Sequence, residues 1–459
     1  MSQIGVPKYA SVHALRLAER GVTYVRVQWV DLVNTVRFRI LPVSYFTRLC
    51  ETARPGVGLS HVTLGLVGLN AAEGFNGTGE HLYVIDLNSF RLCPYAPGQA
   101  VVMGWFQEKA PLPNGSLANP LCPRTLLKRI VDEAQAKAGL SFLAGFESEF
   151  ILLSAISPKP VTVVDGDWSC TVGNTVLMEI ADDLQEAGLE LQMIHAESAP
   201  GQFEVVTGPL SPLEAADAVV HTRETIYNVA SKHGLRATFA PRLHADNCGN
   251  GAHLHFSVHS SKPPATGARP DAALAPTLTA TERSFLQGIL EQLPSLCAFT
   301  LPTSASYARM VDGIWAGGTY SCWGMDNKDA PIRLCGTQGA HHFEMKTADG
   351  TSNPYLVLAS TLAAGLRGVL SGAVLTSGDC AKPVAFMSDA ERKAVGLENP
   401  LRLPRTVGDA RQLLQGDQYL REKLGEEFVT KYAAVNKLLE QYMRLPSEEE
   451  TITRLVEYY

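Results

Sequence analysis

Four otherwise apolar segments of this 459-residue chain carry charged or histidine side chains at alternate positions. The residues concerned are Glu147 and Glu149 in GFESEF, His195 and Glu197 in MIHAES with Glu204 following in APGQFEVV, His253 and His255 in GAHLHFSV, and Glu344 and Lys346 in HHFEMKT. Side chains two residues apart on a strand project from the same face. The pattern therefore predicts a sheet with one face lined by carboxylates and imidazoles.

Two interpretations of these segments compete. For any single pair, a half-exposed strand with a solvated face is the simpler one. Four such strands in one region favour a site, because five carboxylates on one sheet surface repel one another by several kcal/mol unless cations neutralise them. Carboxylate oxygens with an imidazole suit Mg²⁺ or Mn²⁺ better than zinc or copper. Paired ions of this kind are the usual clamp on a transferring phosphoryl group.

The N-terminal part of the chain is rich in strand patterns. The segments with strand-like alternation or apolar runs are 22–30 and 35–41, which predict a β-hairpin, and 81–87 and 100–106. Residues 111–120, rich in Pro, Asn, Gly and Ser, predict a linker. We therefore expect two domains, spanning residues 1–115 and 116–459.

Strands and helices are interleaved in the second part. The apolar period over 123–138 predicts an amphipathic helix, and 142–153 predicts a strand. Three further helices are predicted to begin with capping residues at Ser211, Asn353 and Ser388, two of them as capping boxes with Glu214 and Glu391. The tail from 419 to 443 also has a helical pattern. The expected class is α+β.

Composition and local patterns argue against several classes of protein. The formal net charge is −7 with no long basic stretch, which disfavours nucleic acid as a partner. Nine cysteines without a CxxC pair favour reduced thiols over a disulfide framework. The N-terminal stretch lacks the apolar core of a signal peptide, and the apolar window 355–375 is interrupted by Arg367 and three glycines. We therefore expect a cytoplasmic protein with no membrane partner.

Six segments in a fixed order identify a family. They are GFESEF, HAESAPGQFEV, GNGAHLHFS, SYAR ending at Arg309, PIR ending at Arg333, and HFEMKTADGTSNPYL. Together they resemble the glutamine synthetase family, over the whole second domain and more faintly over the first. The resemblance is to the class-I-like branch, which includes γ-glutamyl-amide and γ-glutamylpolyamine ligases that use amines instead of ammonia.

The resemblance implies an architecture. A small N-terminal β-grasp-like domain would precede a large catalytic domain, whose curved antiparallel sheet forms an open funnel surrounded by helices. Adjacent subunits would share active sites in a large homo-oligomer of stacked rings, similar to a dodecamer.

The resemblance also implies roles for individual residues. One metal site falls on Glu149, Glu197 and Glu204, and a second on Glu147, His253 and Glu344. The residues that would contact ATP are His255, Ser257, Lys328 and Arg333. Arg309 would contact both the transferring phosphoryl group and the acid. The acid pocket would be formed by His195, Gly249 and Lys346. The implied reaction uses ATP and two or three Mg²⁺ or Mn²⁺ ions per site. A carboxylate attacks the γ-phosphate, and an amine then displaces phosphate from the acyl phosphate, both steps passing through concentrated oxyanion charge.

Departures from the family pattern concern the acceptor first. A glutamine synthetase carries a glutamate six residues after the SYAR arginine, where it closes the ammonium pocket and takes a proton. This position is Trp315, and the segment 51–70 lacks the aspartate that holds ammonium in such enzymes. Concentrating and deprotonating ammonium needs anionic groups, whereas an indole suits an alkyl or aromatic amine, or a cation–π contact to a charged one. Trp315 is therefore expected to act in catalysis as part of an acceptor site for larger amines.

Further departures concern the acid and the phosphates. Lys346 replaces the arginine that grips the α-carboxylate of glutamate, and so keeps the charge without the bidentate fork. An asparagine of the same pocket falls on Cys248, where Asn247 or Asn250 could substitute. Lys328 replaces a second phosphate-binding arginine.

Three functions follow from these observations. The leading hypothesis is an ATP-dependent ligase that joins an amine to the γ-carboxylate of glutamate or a close analogue. An ordinary ammonia-using glutamine synthetase is the alternative within enzymes, against which Trp315 argues. A non-catalytic relative kept for assembly is the third, against which the six intact metal-ligand positions argue.

Overall fold

The computed structural model describes residues 9–154, 174–243, 249–262 and 269–459. In these residues the strands are β1 (Tyr24–Val30), β2 (Val36–Pro42), β3 (Gly56–Ser60), β4 (Leu66–Val67), β5 (Asn70–Ala71), β6 (Glu80–Leu92), β7 (Gln99–Gln107), β8 (Leu140–Ser154), β9 (Leu191–Ala196), β10 (Gln202–Thr207), β11 (Leu235–Thr238), β12 (Leu254–Ser260), β13 (Trp323–Met325), β14 (Ile332–Cys335) and β15 (His342–Met345). The α-helices are α1 (Val43–Cys50), α2 (Pro123–Ala138), α3 (Asn174–Glu186), α4 (Pro212–Lys232), α5 (Ala280–Thr300), α6 (Ser304–Arg309), α7 (Pro354–Ser371), α8 (Asp389–Ala394), α9 (Val407–Gly416), α10 (Gln418–Leu424), α11 (Glu426–Met443) and α12 (Glu448–Tyr458).

The N-terminal strands form a five-stranded sheet in the order β2-β1-β7-β6-β3. The predicted hairpin is confirmed, with Tyr24 opposite Pro42 and Val30 opposite Val36. The two further predicted strands are β6 and β7, which pair antiparallel, while β1 and β7 pair in parallel. The resulting sheet lies before residue 115, but whether this part is a separate β-grasp-like domain stays a prediction.

The β1–β2 turn is fastened to distant parts of the chain. The carbonyl of Asp31 accepts a hydrogen bond from Asn353 Nδ2 at 2.8 Å, and Asn34 Nδ2 donates to the carbonyl of Gly350 at 2.9 Å. The Tyr459 hydroxyl donates to the carbonyl of Val33 at 2.9 Å. The N-terminal sheet is therefore joined to the rest of the molecule through its first hairpin.

An eight-stranded mixed sheet fills the second part of the molecule. Its order is β13-β14-β15-β12-β8-β10-β9, with β11 also paired to β8. The expectation of an antiparallel sheet is wrong at one edge, because β13 and β14 pair in parallel. The long strand β8 pairs with β12 over Leu140–Phe146 and with β10 over Glu147–Ile151, so the sheet is staggered at Glu147.

Helices α2, α5 and α7 pack together in the core. The predicted helix 123–138 is confirmed as α2, with Pro123 in its first turn. Helix α7 begins at the predicted cap, where Asn353 Oδ1 accepts from Tyr355 N and Leu356 N at 3.0 and 3.3 Å. It is the one helix of the described residues long and apolar enough to cross a membrane, and it is mostly buried in the protein, as expected of the window 355–375.

Local predictions at the other helix ends have mixed outcomes. Ser388 forms the predicted capping box with Glu391. Helix α4 begins after Ser211 as predicted, but the Ser211 hydroxyl bonds the Glu214 carboxylate at 2.7 Å and not the backbone, so no full capping box forms. The tail is helical, but Gly425 at φ 109° separates α10 from α11, because this conformation is open to glycine and ends a helix. The seven cysteines of the described residues are free thiols, and Cys170 and Cys248 lie outside them.

A buried arginine joins the N-terminal sheet to the second part. Arg124 donates to Asp217 of α4 at 3.0 and 2.7 Å, to Asp86 of β6 at 3.1 Å and to the carbonyl of Gly104 at 3.1 Å.

Arg124→Met is expected to lower the free energy of unfolding by about 3–5 kcal/mol, because Asp217 would remain buried without its partner. Denaturant unfolding checks this, with the exposed Lys128→Met on the same helix as a control expected to change by under about 0.5 kcal/mol. Equal effects of the two substitutions would contradict it.

Candidate active site

A cavity of about 320 Å³ lies where the staggered halves of the large sheet meet. Its lining includes all six predicted metal ligands, namely Glu147, Glu149, Glu197, Glu204, His253 and Glu344. It also includes the predicted substrate and phosphate residues His195, Gly249, Arg309, Trp315, Lys328, Arg333 and Lys346. The structure thus brings together thirteen of the fifteen predicted site residues around one space.

Strand register explains how the acidic residues meet. Glu204 of β10 lies directly opposite Glu149 of β8 on one side and opposite His195 of β9 on the other. His195 Nε2 is 3.1 Å from Glu204 Oε1, and His195 Nδ1 is 3.6 Å from Glu197 Oε1. The segment APGQFEVV therefore does not continue β9. Its last five residues belong to β10, which runs antiparallel to β9, and the turn between the two strands begins at Glu197.

The second predicted metal set is compact. Donor atoms of Glu147, His253 and Glu344 all lie within 4.8 Å of one another. His253 Nδ1 is 2.7 Å from Glu147 Oε2 and 3.4 Å from Glu344 Oε1. Glu147 lies on β8, Glu344 lies on β15, and His253 immediately precedes β12.

The three residues of the first predicted metal set do not form a single cluster. Glu149 and Glu204 group with His253, whereas Glu197 and Glu204 group with His195. Glu204 is therefore common to two clusters, and His195, predicted for the acid pocket, lies among the carboxylates. An imidazole with two carboxylates is a donor set that Mg²⁺ or Mn²⁺ accepts.

The electrostatics of the cavity centre on Glu204. Burial, reinforced by the carboxylates of Glu147 and Glu149, raises the pKa of Glu204 to about 9. Burial also opposes ionisation of Glu147 and Glu344, but hydrogen bonds from His253 and His255 hold the pKa of Glu147 well below its usual range. Lys346 and His253 likewise lower the pKa of Glu344 to about 2. Negative charge is thus compensated around Glu344, whereas Glu204 retains a proton at neutral pH in the absence of metal. A divalent cation among these carboxylates would replace that proton, so Glu204 is where a cation fits the residues best.

Lys346 lines the cavity as predicted for the acid pocket, and its ammonium group contacts the second predicted metal set. Its side chain is buried, with Nζ 3.0 Å from Glu344 Oε1 and 3.5 Å from His253 Nε2. The ammonium group therefore serves as an internal countercharge to the second metal set in this arrangement.

Lys346→Met is expected to lower the free energy of unfolding by about 3 kcal/mol in a chelator, because Glu344 loses its buried partner. A divalent cation should restore much of this loss by supplying the missing charge. Thermal unfolding with EDTA and with Mg²⁺ measures both effects. The control Lys137→Met removes an exposed ion pair with Glu133 and should show no dependence on the cation. A cation-independent loss in Lys346→Met would contradict the expectation.

Arg309 and Gly249 form one wall of the active-site cavity. Arg309 is 2% exposed and donates through Nη2 to the carbonyls of Lys346 and Ala348 at 2.9 and 3.1 Å. A Cβ atom on Gly249 would lie 1.9 Å from the Pro241 carbonyl oxygen and 2.8 Å from Arg309 Cγ. Glycine is therefore required there for the loop to approach Arg309.

The residues predicted to contact ATP are spread along the sheet. Arg333 Nη1 donates to Glu344 Oε2 at 3.0 Å and, with Lys328, lines the cavity. His255 Nε2 lies 2.9 Å from Glu147 Oε1. Ser257 is two positions farther along β12, and its hydroxyl is 2.9 Å from His259 Nε2. Neither His255 nor Ser257 is part of the cavity lining, because β12 carries them away from the carboxylate cluster.

Trp315 forms part of the opening of the cavity. Its side chain is 59% exposed, and its backbone at φ 61° is fixed by a hydrogen bond from Trp315 N to Asp329 Oδ1 at 3.0 Å. Among the described residues, the carboxylates that line the cavity are the five already assigned to metal sites. The described residues of the cavity wall therefore supply no additional carboxylate that could bind the acceptor amine.

Sequence reasoning missed Gln202. Its Nε2 donates to Glu149 Oε2 at 3.0 Å, to Asn250 Oδ1 at 2.9 Å and to the Gly249 carbonyl at 3.2 Å, so it orients Glu149. The signal was present, because Gln202 precedes Glu204 by two residues on the same strand face. Asn250, suggested as a substitute in the acid pocket, is fully buried and donates to the Ala240 carbonyl at 2.9 Å, so it does not reach the cavity. Cys248 and Asn247 lie outside the described residues.

Comparisons with known proteins agree with this geometry. A sequence model described as glutamine synthetase, catalytic domain, matches residues 120–452. Protein fluG of Emericella nidulans is 34% identical over 96% of this chain, which spans about half (49%) of fluG. Gamma-glutamylpolyamine synthetase GlnA3 of Streptomyces coelicolor is 34% identical, covering 89% of this chain and 88% of the relative. Other relatives, 28–34% identical, are named simply glutamine synthetase. The crystal structure of a glutamine synthase homologue, 26% identical, superposes with a TM-score of 0.78 over 95% of this chain and 99% of that one.

Proposed function

Because this chain belongs to the glutamine synthetase family, we propose that it is an ATP-dependent carbon–nitrogen ligase that forms a γ-glutamyl amide from an amine and glutamate or a close analogue. The observation that carries the proposal is a cavity lined by six metal-ligand side chains, with an indole where an ammonia-using enzyme has a carboxylate. The amine-using relative GlnA3 supports the same choice.

The catalytic work follows from the charges around the cavity. Mg²⁺ or Mn²⁺, held by Glu149, Glu197 and Glu204 and by Glu147, His253 and Glu344, would neutralise charge on the phosphates of ATP. The acid carboxylate attacks the γ-phosphorus and ADP leaves. The amine nitrogen then attacks the acyl carbon and inorganic phosphate leaves. Both steps develop oxyanion charge, which the guanidinium groups of Arg309 and Arg333 stabilise.

The phosphates and the acid would occupy different parts of the site. His255, Ser257 and Lys328, with Arg333, are proposed for ATP. The acid would use Arg309, His195 and the Gly249 loop. The ammonium group of Lys346 contacts Glu344 and His253. It would therefore reach the acid only after a bound cation has replaced it as the positive charge beside Glu344. This exchange favours binding of the acid after the metal.

The acceptor is proposed to be an amine larger than ammonia. The exposed face of Trp315 supplies apolar surface and, for a charged polyamine, a cation–π contact. Ammonium binding would require an anionic group that the described lining does not offer beyond the metal ligands. An ammonia-using glutamine synthetase is the second candidate, favoured by the relatives of that name.

The larger organisation is part of the proposal. We infer domains at 1–115 and 116–459, the first β-grasp-like, the second with its sheet shaped as a funnel. We further propose stacked rings of subunits in the cytoplasm, with active sites between neighbours and without nucleic-acid or membrane partners; the family resemblance supports this proposal.

A substrate panel tests the function. Purified protein with ATP, Mg²⁺ or Mn²⁺ and glutamate is assayed with ammonia and with alkyl, poly- and aromatic amines, following phosphate release and product mass. We expect kcat/KM to be highest for one of the larger amines and activity to vanish in EDTA, returning with Mg²⁺ or Mn²⁺. The highest kcat/KM with ammonia would favour the second candidate. Absence of phosphate release with every pair, with Glu149→Ala indistinguishable from wild type, would favour a non-catalytic assembly role.

A further inference from the structure

A second cavity, of about 330 Å³, lies away from the carboxylate cluster. It is bounded by the β1–β2 turn, helix α4, strand β11 and the end of helix α12. Its lining includes Val36, Val220, Ala237 and the aromatic rings of Tyr227 and Tyr458. None of these residues has a role in the proposed ligase reaction.

One buried arginine on its wall forms no salt bridge with any described residue. Arg223 of α4 is 6% exposed, and its Nε and Nη1 are buried without a hydrogen-bond partner. Within the described part of the chain, the structure gives its guanidinium no salt bridge, only a position 5.7 Å from the Phe239 ring. Burial lowers the pKa of Arg223 to about 10, so the group stays protonated at neutral pH.

Three acids lie near Arg223, and none of them forms an ion pair with it. Asp349 is completely buried and attracts Arg223 through space, but its Oδ1 accepts from the backbone and hydroxyl of Thr351 at 2.9 and 2.5 Å. Glu224 also lines the cavity, but it pairs with Arg26 at 2.9 Å. Glu457 is exposed at the rim, where water screens it. A buried cation without a hydrogen-bonded anion is strongly unfavourable, and in proteins such groups are paired.

We propose that this cavity binds a small carboxylic acid, with its carboxylate on Arg223 and its apolar body against Val220 and Ala237. A guanidinium presents two parallel N–H groups that match a carboxylate. A phosphate dianion fits less well, because Arg223 is the one buried cation of this lining and Glu224 and Glu457 lie on the same wall. Arg236 is exposed at the rim and adds long-range attraction for any anion.

Benzoate is a suitable probe because its ring fits between apolar and aromatic walls. Titration calorimetry and thermal unfolding of the full chain are run with benzoate, with the uncharged benzamide and with inorganic phosphate. We expect saturable binding of benzoate at one site per chain and a rise in the unfolding midpoint, with no effect of benzamide. Phosphate is a product of the proposed ligase reaction, so any binding of phosphate should be the same in Arg223→Met as in the wild type.

Arg223→Met separates this cavity from the active site, which also binds carboxylates. We expect the substitution to raise the unfolding midpoint of the ligand-free protein, because an unpaired buried charge is removed, and to weaken benzoate binding at least about tenfold. Arg236→Met at the exposed rim is the matched control, with a change of about threefold or less. Glu457→Gln, which removes a rim anion and leaves the core untouched, should tighten benzoate binding.

Three results would overturn the proposal. Benzoate binding that persists in Arg223→Met would assign the acid to another site. A lower unfolding midpoint in that variant would mean that a neighbouring subunit or another group already compensates the arginine. Binding of phosphate or benzamide that Arg223→Met abolishes would exclude a carboxylate-selective cavity.

Discussion

Glu204→Gln is expected to abolish ligase activity while making the metal-free protein more stable. Glu204 is 5% exposed and lies opposite both Glu149 and His195, within two of the potential metal clusters. With a pKa of about 9 in the metal-free fold, Glu204 must take up a proton when the chain folds at neutral pH, which costs free energy that a glutamine does not incur, so the free energy of unfolding in EDTA should rise by about 1–3 kcal/mol. The same change removes a ligand from both clusters, so kcat/KM should fall by at least about 100-fold.

Two measurements separate these effects. Thermal unfolding in EDTA and in Mg²⁺ should show a higher midpoint for the variant without metal and a smaller gain on adding metal. Phosphate release with the best amine gives the activity. Glu186→Gln, the same substitution at an exposed position of α3, should change neither. A variant that is destabilised in EDTA, or that keeps its activity, would show that Glu204 is not under carboxylate repulsion or is not a ligand.

Trp315→Glu is expected to shift the acceptor preference toward ammonia. The substitution places a carboxylate at the opening of the cavity, where the described wall has none beyond the metal ligands. A carboxylate there could bind ammonium and accept its proton, and such assistance typically contributes on the order of 10²–10⁴-fold. Since the geometry is not optimised for this role, we expect the ratio of kcat/KM for ammonia to that for the best larger amine to rise by about 10–100-fold.

Charge is the variable to control in this experiment. Trp315→Gln removes the indole without adding an anion, so it should impair larger amines without improving ammonia. Trp315→Phe should retain most activity with apolar amines, since it keeps an aromatic face. Neither substitution disturbs the core, because the indole is mostly exposed. If the glutamate and glutamine variants behaved alike, the missing carboxylate would not be what limits ammonia.

The site was predictable from the sequence because strand periodicity decides which side chains share a face. Glu147 with Glu149, and Glu344 with Lys346, needed only that rule, and Gln202 could have been found by extending it from Glu204. The family resemblance supplied the chemistry that periodicity alone does not contain.

What the sequence could not supply was the pairing between strands. Glu204 sits between Glu149 and His195 because of the register of β10 with both neighbours, and this register depends on a turn and on packing. The same limit applies to the contact of Lys346 with Glu344 and His253, which the sequence did not predict, and the role of Lys346 toward the acid substrate stays a prediction. The break at Gly425 was visible as a glycine, but its conformation depends on how α10 and α11 pack.

The fastened β1–β2 turn has a consequence for the order of events during synthesis of the chain. The hairpin itself is local and can form as soon as residue 42 has left the ribosome. Its bonds to Gly350, Asn353 and Tyr459 wait for residues more than 300 positions later. Until then the Val33 carbonyl lacks its bond to Tyr459, and the Asp31 carbonyl has only the local bond from Asn34 N at 3.2 Å. The N-terminal sheet therefore reaches its final position only after residues 350–459 have been synthesised.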